Sequence, residues 1–332
     1  MRKNFRRYAR VLLSLSAGLL LLWLIMRGQD PGLLRNEFRN ANYFWVFAAM
    51  GCAILSHYIR AIRWNRIIRA MGYKTKDSLT FYAVMTGYLT NLAVPRMGEI
   101  TRCVTLSKAS GTPFSALAGT VVAERVFDFL TLAGIIVVTI SLQFSFLKTF
   151  LRQIFWDPLI SRGRANWELL AAMLALALII GLVAMVVIRR KSENPGHGSL
   201  VYKIKRQFRG FVFGLKAITR MQGKRWFVLH SLLIWGLYYL TVYLCFFAIS
   251  ATSGLTAIAG LTLLTVGSIG ILAPVPGGIG TYHFLTIITL KELYGISPEA
   301  ATSYAYITHA TQIAVNVVFG LLSWMLLSVR KK

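Results

Sequence analysis

Two stretches decide the fold: Leu92-Ala93-Val94-Pro95-Arg96-Met97-Gly98-Glu99 and Leu272-Ala273-Pro274-Val275-Pro276-Gly277-Gly278-Ile279-Gly280. Each interrupts an apolar segment with residues that end helices. Proline removes a backbone donor, and glycine permits turns that other residues resist. Working outward, apolar segments occupy about 11–26, 43–62, 79–94, 115–142, 168–188, 227–249, 255–273, 281–294 and 300–328. Several approach or reach the roughly 20 residues that a bilayer span requires.

Composition agrees with these segments. Of 332 residues, 56% are hydrophobic and 14% charged, whereas a soluble domain averages about a quarter charged. An ordinary water-soluble enzyme is excluded. Lys and Arg number 37 against 11 Asp and Glu, a formal charge of +26. A balance that basic suggests nucleic acid when the charges share a folded surface. Here they fall between apolar runs, in 1–10, 60–76, 189–225 and 330–332. That is the positive-inside pattern of cytoplasmic loops, reinforced by anionic inner-leaflet lipids; nucleic acid is not an expected partner.

Charge parity then constrains topology. With the basic N-terminus inside, 60–76 inside and 189–226 a cytoplasmic basic loop, the stretch 79–108 must begin and end inside. With 330–332 inside, 255–294 must begin and end outside. The simplest solution is two re-entrant hairpins of opposite orientation, broken at Pro95 and Gly98 and at Pro274, Pro276, Gly277, Gly278 and Gly280. The expected fold is an all-α polytopic membrane protein of about eight hydrophobic helical segments, read as six full spans plus these hairpins. It forms one domain over 1–332, with inverted-repeat halves at about 43–142 and 227–328. No small-residue cleavage site follows Met26, so the first apolar run is read as a retained span. Broken segments at matching places in inverted halves point to a transport site near the midplane.

Two constellations could carry chemistry. Arg96, Glu99 and Arg102 surround the first break, and Glu124, Arg125 and Asp128 follow in the next span. A charge at the bilayer centre costs about 2.5–3.5 kcal/mol on insertion scales, so these residues must face one another or water. Glu124 and Asp128, four apart on a helix, share a face; Arg125 and Asp128, three apart, can pair. One reading is a self-neutralising structural cluster. The other is that an arginine fork, suited to two-point phosphate binding, is held by the acids until an anionic headgroup competes for it. The second constellation is the Pro-Gly-Gly break with His283 and His309, which could add charge near neutral pH; hydrogen-bonded interior histidines are the plainer reading. Cys52, Cys103 and Cys245 lack metal-ligand spacing, and no nucleotide-binding, zinc-protease or serine-hydrolase motif is present. No cofactor is expected.

Pro95-Arg96-Met97-Gly98-Glu99 with Arg102, Ala123-Glu124-Arg125 with Asp128, and Pro274 through Gly280 together resemble the flippase-like transmembrane domain of lysylphosphatidylglycerol synthases and stand-alone UPF0104 membrane proteins. The resemblance covers about residues 10–328. It implies movement of a phospholipid or polyprenyl-linked lipid between leaflets of a bacterial cytoplasmic membrane. Lysyl transfer, which the family assigns to a separate cytosolic domain, is not expected. Two positions depart from the family pattern: His283 stands where a glutamate is common, and His309 where an arginine is common. The implied roles are substrate binding for the six charged residues and the two histidines, and gating for the breaks. Alternatives are a membrane-embedded transferase acting on a polyprenyl phosphate or glycolipid, and a non-transporting partner of an envelope-biosynthesis complex. A homo-oligomer is compatible with either.

Overall fold

A computed structural model of the chain describes residues 30–144 and 223–329, together with positions 16, 23 and 27. The expected spans at 11–26 and 168–188 and nearly all of the 189–226 loop lie outside these residues, apart from single positions. Helix α1 (Pro31–Asn40) starts where Asp30 Oδ1 accepts the Gly32 N–H at 2.7 Å. Asn42 caps α2 (Tyr43–Ala70) in the same way, through the Phe44 N–H. Then follow α3 (Asp77–Ala93), α4 (Gly98–Ser110) and α5 (Phe114–Leu142). The second described stretch contains α6 (Lys224–Leu244), continued by a 3₁₀ turn over Cys245–Ala248, then α7 (Ala257–Leu272), α8 (Thr281–Tyr294) and α9 (Pro298–Val329).

Among the described residues, four helices are long and apolar enough to cross a membrane: α2, α5, α6 with its 3₁₀ extension, and α9. The limbs α3, α4, α7 and α8 have 17, 13, 16 and 14 residues. At about 1.5 Å per residue they fall short of the roughly 30 Å hydrocarbon layer. The order is therefore long helix, helical hairpin, long helix, twice over.

The two hairpins come from opposite ends of the bundle. The start of α3 and the end of α4 lie at the end where Lys74, Lys76 and Lys108 gather beside the end of α9; this is called the basic end below. The start of α7 and the end of α8 lie at the other end, where Gln143 reaches Ile258 and Tyr294. Packing is reciprocal: α9 lies on α3, and α5 lies on α7, so the closing helix of each half leans on the other half's hairpin.

Glycines set how closely the limbs approach. A Cβ on Gly98 would lie 2.3 Å from the Gly87 carbonyl oxygen, and one on Gly270 would lie 2.8 Å from Tyr282 Cα. Those separations require glycine at the limb crossings. Gly320 does the same between α9 and α3, where a Cβ would meet Leu89 Cβ at 2.7 Å.

Two boundaries differ from the sequence expectation. Residues 60–70 are not loop: α2 runs on to Ala70, and Arg60 and Arg63 are buried within it. Arg60, Arg63, Arg66 and Arg69 recur every third residue; the first two are buried, Arg66 is half-buried and Arg69 exposed. At the second boundary, Lys224, Arg225 and Trp226 already belong to α6. Gly223, in the left-handed conformation at φ 75°, is the residue that turns the chain into it.

Gly98→Ala should destabilise the protein by about 1–3 kcal/mol through overpacking, read as a lowered melting temperature in detergent. Gly119→Ala, whose Cβ would enter open space, should leave it unchanged or slightly raised.

Candidate functional site

The centre of the charged site is the Glu124 carboxylate on α5, which is fully buried. Arg60 and Arg63 from α2 reach its Oε1 at 3.1 Å each, and Arg102 from α4 reaches Oε2 at 2.9 Å. Asp128, one turn further along α5, takes Arg63 at 2.7 Å and Arg60 at 3.2 Å. Glu124 and Asp128 thus act from one helix face on the same two arginines. The guanidinium groups also lie on aromatic faces: that of Arg102 is 4.7 Å over the Trp64 ring and that of Arg63 5.4 Å over Phe227. Trp64 is itself fixed by its indole N–H, which donates to Thr120 Oγ1 at 2.8 Å.

Arg125 points to a different partner. It pairs with Glu99 of α4 at 3.0 Å and only grazes Asp128 at 4.0 Å. The Arg125 side chain is 43% exposed and that of Glu99 29%, in contrast to the buried Glu124 group. Beside this pair, Asn91, Gly98, Glu99, Arg102 and Arg125 border a cavity of about 10 Å³, room for roughly one water. Arg102 Nε and Nη2 and Glu99 Oε2 have no hydrogen-bond partner among the described residues. Four arginines and three carboxylates leave the group one positive charge in surplus.

Arg96 does not join the cluster, which corrects the expected grouping. It sits in the first break at φ 62°, a left-handed conformation held by a non-glycine residue. Its Nη2 donates to the Leu272 carbonyl oxygen at 3.4 Å, across to the second break. Arg60 and Arg63, missed as site residues because the 60–76 stretch read as a loop, take its place in the ion-pair network.

At the second break Gly277, Gly278 and Gly280 all have positive φ. Leu92 approaches Gly277 so closely that a Cβ there would lie 3.2 Å from Leu92 Cδ2. The two breaks therefore touch at Leu92–Gly277 and Arg96–Leu272. His309 on α9 holds this junction: its Nε2 lies 2.8 Å from the Gly277 carbonyl oxygen, which can only accept, so Nε2 donates. His283 Nδ1 accepts the Gly280 N–H at 3.3 Å and so caps α8; that bond requires an unprotonated Nδ1. The two rings are 4.7 Å apart, and His309 stacks on Tyr282. The histidines are thus brought together with the Pro-Gly-Gly break and are separate from the arginine cluster. Among the described residues no group of three or more His, Cys, Asp or Glu is placed to hold a metal ion.

Two helical hairpins set among four helices long and apolar enough to cross a membrane, with ionisable side chains gathered in the interior, define a polytopic membrane protein. Residues 9–320 match the family described as the lysylphosphatidylglycerol synthase TM region, and the chain belongs to that family. It is 25% identical over 99% of its length to Glycosyltransferase AglD of Haloferax volcanii, of which it spans 56%. Against a UPF0104 membrane protein of Methanocaldococcus jannaschii it is 26% identical, over 87% of this chain and 86% of that one. Against a UPF0104 membrane protein of Methanothermobacter thermautotrophicus it is 25% identical, over 90% and 86%. No solved structure matches. The chain is a multi-pass membrane protein, and its relatives include archaeal proteins.

Glu124→Gln should strip three buried guanidinium groups of their shared counter-charge and cost about 3–5 kcal/mol. The expected readout is loss of the folded protein or a large fall in melting temperature. Glu99→Gln, acting on a half-exposed pair, should cost no more than about 1 kcal/mol.

Proposed function

We propose that the protein moves an anionic lipid, or a lipid-linked intermediate, between membrane leaflets. The two hairpins re-enter the membrane from opposite faces, and their touching breaks form the gate. The observation that carries this reading is the contact between the breaks. Leu92 against Gly277 and Arg96 on the Leu272 carbonyl close a passage at the point where both hairpins lose their helical hydrogen bonds. Irregular backbone at such depth is tolerated where it is buried in protein or lines a wet cavity.

The accessible ion pair supplies the exchange step. Arg125 rests on Glu99, and a phosphate arriving beside Asn91 offers the same guanidinium a bidentate partner. The surplus positive charge of the cluster favours that exchange. Arg102, which borders the small cavity and whose Nε and Nη2 have no hydrogen-bond partner among the described residues, is placed to contribute the second contact. Glu124 and Asp128 stay with Arg60 and Arg63 throughout and hold the scaffold. Both termini lie on the cytoplasmic side in this reading, which the distribution of basic residues supports.

The test is dithionite quenching of fluorescent phosphatidylglycerol and fluorescent phosphatidic acid in reconstituted vesicles. Wild type should accelerate leaflet exchange of at least one of them over protein-free vesicles. Arg125→Ala should abolish that acceleration while melting within a few degrees of wild type. A well-folded Arg125→Ala variant that still exchanges lipid removes this role from the arginine, and a wild type that accelerates neither lipid removes the transport reading. Arg96→Gly should relieve a left-handed conformation worth roughly 1 kcal/mol. It should melt no lower than wild type yet show altered exchange, because it loses the link to Leu272.

The likeness to a glycosyltransferase favours a second reading, a membrane-embedded transferase in which Glu99 or Asp128 serves as general base. A supplied polyprenyl phosphate that gains mass when incubated with the protein and a sugar donor would establish it; unchanged mass with accelerated exchange favours translocation.

A further inference from the structure

A larger cavity lies away from the arginine cluster. At the basic end, a space of about 790 Å³ opens between the start of α3, the end of α4 and the end of α9. That is within the roughly 300–1,000 Å³ range of sites that enclose a small molecule. Lys74, Lys76 and Lys108 line it, and no carboxylate does. None of the three lysines takes part in an ion pair among the described residues. The nearest acid in sequence, Asp77, is engaged instead by Arg69 and Asn65.

The lysines are presented by a pinned segment. Thr75, between Lys74 and Lys76, is buried and hydrogen-bonded to Asn65, whose Oδ1 also accepts from Thr80 at 2.7 Å. Lys108 sits in the last turn of α4, opposite Trp324 and Leu327 of α9. Trp324 is exposed, as suits an aromatic residue at the level of lipid headgroups. The cavity also has apolar walls, Leu79, Val104 and Leu327, along which chains could run toward the exposed apolar surface. Its lining extends along α3 to Thr86, the residue before Gly87, and along α4 to Val104; Gly87 and Arg102 border the small cavity beside Glu99 and Arg125. Gly320 packs α9 closely onto α3 at Leu89 and Met85.

We propose that this cavity is the loading site for a lipid whose headgroup is a phosphate monoester, bound by Lys74, Lys76 and Lys108 and passed along α4 to Arg102 and Arg125. This deepens the lipid-translocation reading and rests on it. The charge balance selects the headgroup. Three ammonium groups with no acid among them are poorly neutralised by a phosphodiester carrying one charge. A phosphomonoester carries about −1.5 to −2 at neutral pH and exposes three acceptor oxygens. Lysines suit this task because each is a point charge on a flexible stem and can follow the phosphate as it moves.

The test uses the full chain, incubated with phosphatidylcholine vesicles containing phosphatidic acid or phosphatidylglycerol at equal mole fraction, then repurified for mass spectrometry of retained lipid. Wild type should retain phosphatidic acid over phosphatidylglycerol. The triple variant K74Q/K76Q/K108Q should lose that preference and retain at least about tenfold less phosphatidic acid, since each surface lysine adds several-fold to anionic-lipid attraction. Excess inorganic phosphate, which offers the same charge without acyl chains, should lower retention only in part. Equal retention of the two lipids by wild type, an undiminished preference in the triple variant, or complete release by inorganic phosphate would each overturn the proposal. Should the triple variant fail to fold, Lys108→Gln alone carries the test, with a several-fold loss expected and no loss refuting it. The outcomes separate from those of the transport reading. Lysine-dependent retention without leaflet exchange in wild type leaves the loading site standing and removes translocation. Exchange that persists in the triple variant without any headgroup preference does the reverse.

Discussion

The Glu124 carboxylate is the constraint on which the described structure depends. Three guanidinium groups from two other helices converge on it, so α2, α4 and α5 can take only relative positions that keep all three in reach. Such a group is expensive to form, because each ion must leave water, and more expensive still to break by removing one partner. It therefore specifies register more than it adds stability. Once α5 is fixed against α2 and α4, α3 is fixed through the glycine contact of Gly87 with Gly98. The first break is then fixed as well, with Asn91 Oδ1 accepting the Gly98 N–H at 2.6 Å at the start of α4.

The second half reaches comparable order without charge. At the end of the bundle away from the lysines, Gln143 Nε2 donates to Thr262 Oγ1 at 2.6 Å and to the Tyr294 hydroxyl at 2.8 Å, and Thr139 and Thr265 lie 3.0 Å apart. The hairpin of α7 and α8 is held by neutral hydrogen bonds, by aromatic packing around Phe246 and Tyr304, and by glycine crossings. His309 ties its break to α9. Matching backbone architecture in the two halves thus rests on different chemistry, which explains why only a faint echo connects Leu92-Ala93-Val94-Pro95 with Leu272-Ala273-Pro274-Val275-Pro276.

Much of this was legible in the sequence because apolar length and Pro-Gly interruption report directly on helices that break inside a bundle. The limbs expected from Leu79 to Val94 and at 281–294 correspond to Asp77–Ala93 and Thr281–Tyr294. The pairing of Glu124 and Asp128 on one face followed from their four-residue spacing. What the sequence hid was partner choice. Arg60 and Arg63 read as solvated loop charges, since a basic run at the end of an apolar segment usually is one, and only their recurrence every third residue marked them as helical. Arg96, next to Pro95, looked like a member of the charged cluster. Its left-handed backbone sends it to a carbonyl 176 positions away in sequence, a relation that no local pattern carries.

The contrast between the two ends bears on how the molecule can move. Helix α5 is fastened around its middle, at Glu124 and Asp128, by buried ion pairs whose loss costs about 3–5 kcal/mol. Near its finish it is fastened by hydroxyl and amide hydrogen bonds worth about 0.5–1.5 kcal/mol each, which water can replace. The seam between α5 and the α7–α8 hairpin is therefore the cheaper one to part, and the α2–α4–α5 group the one that stays whole. Motion of the second hairpin about a fixed first hairpin would pull Leu272 from Arg96 and Gly277 from Leu92 together, since both contacts join the same two breaks. The two contacts between the breaks are thereby coupled, so that loss of one loosens the other.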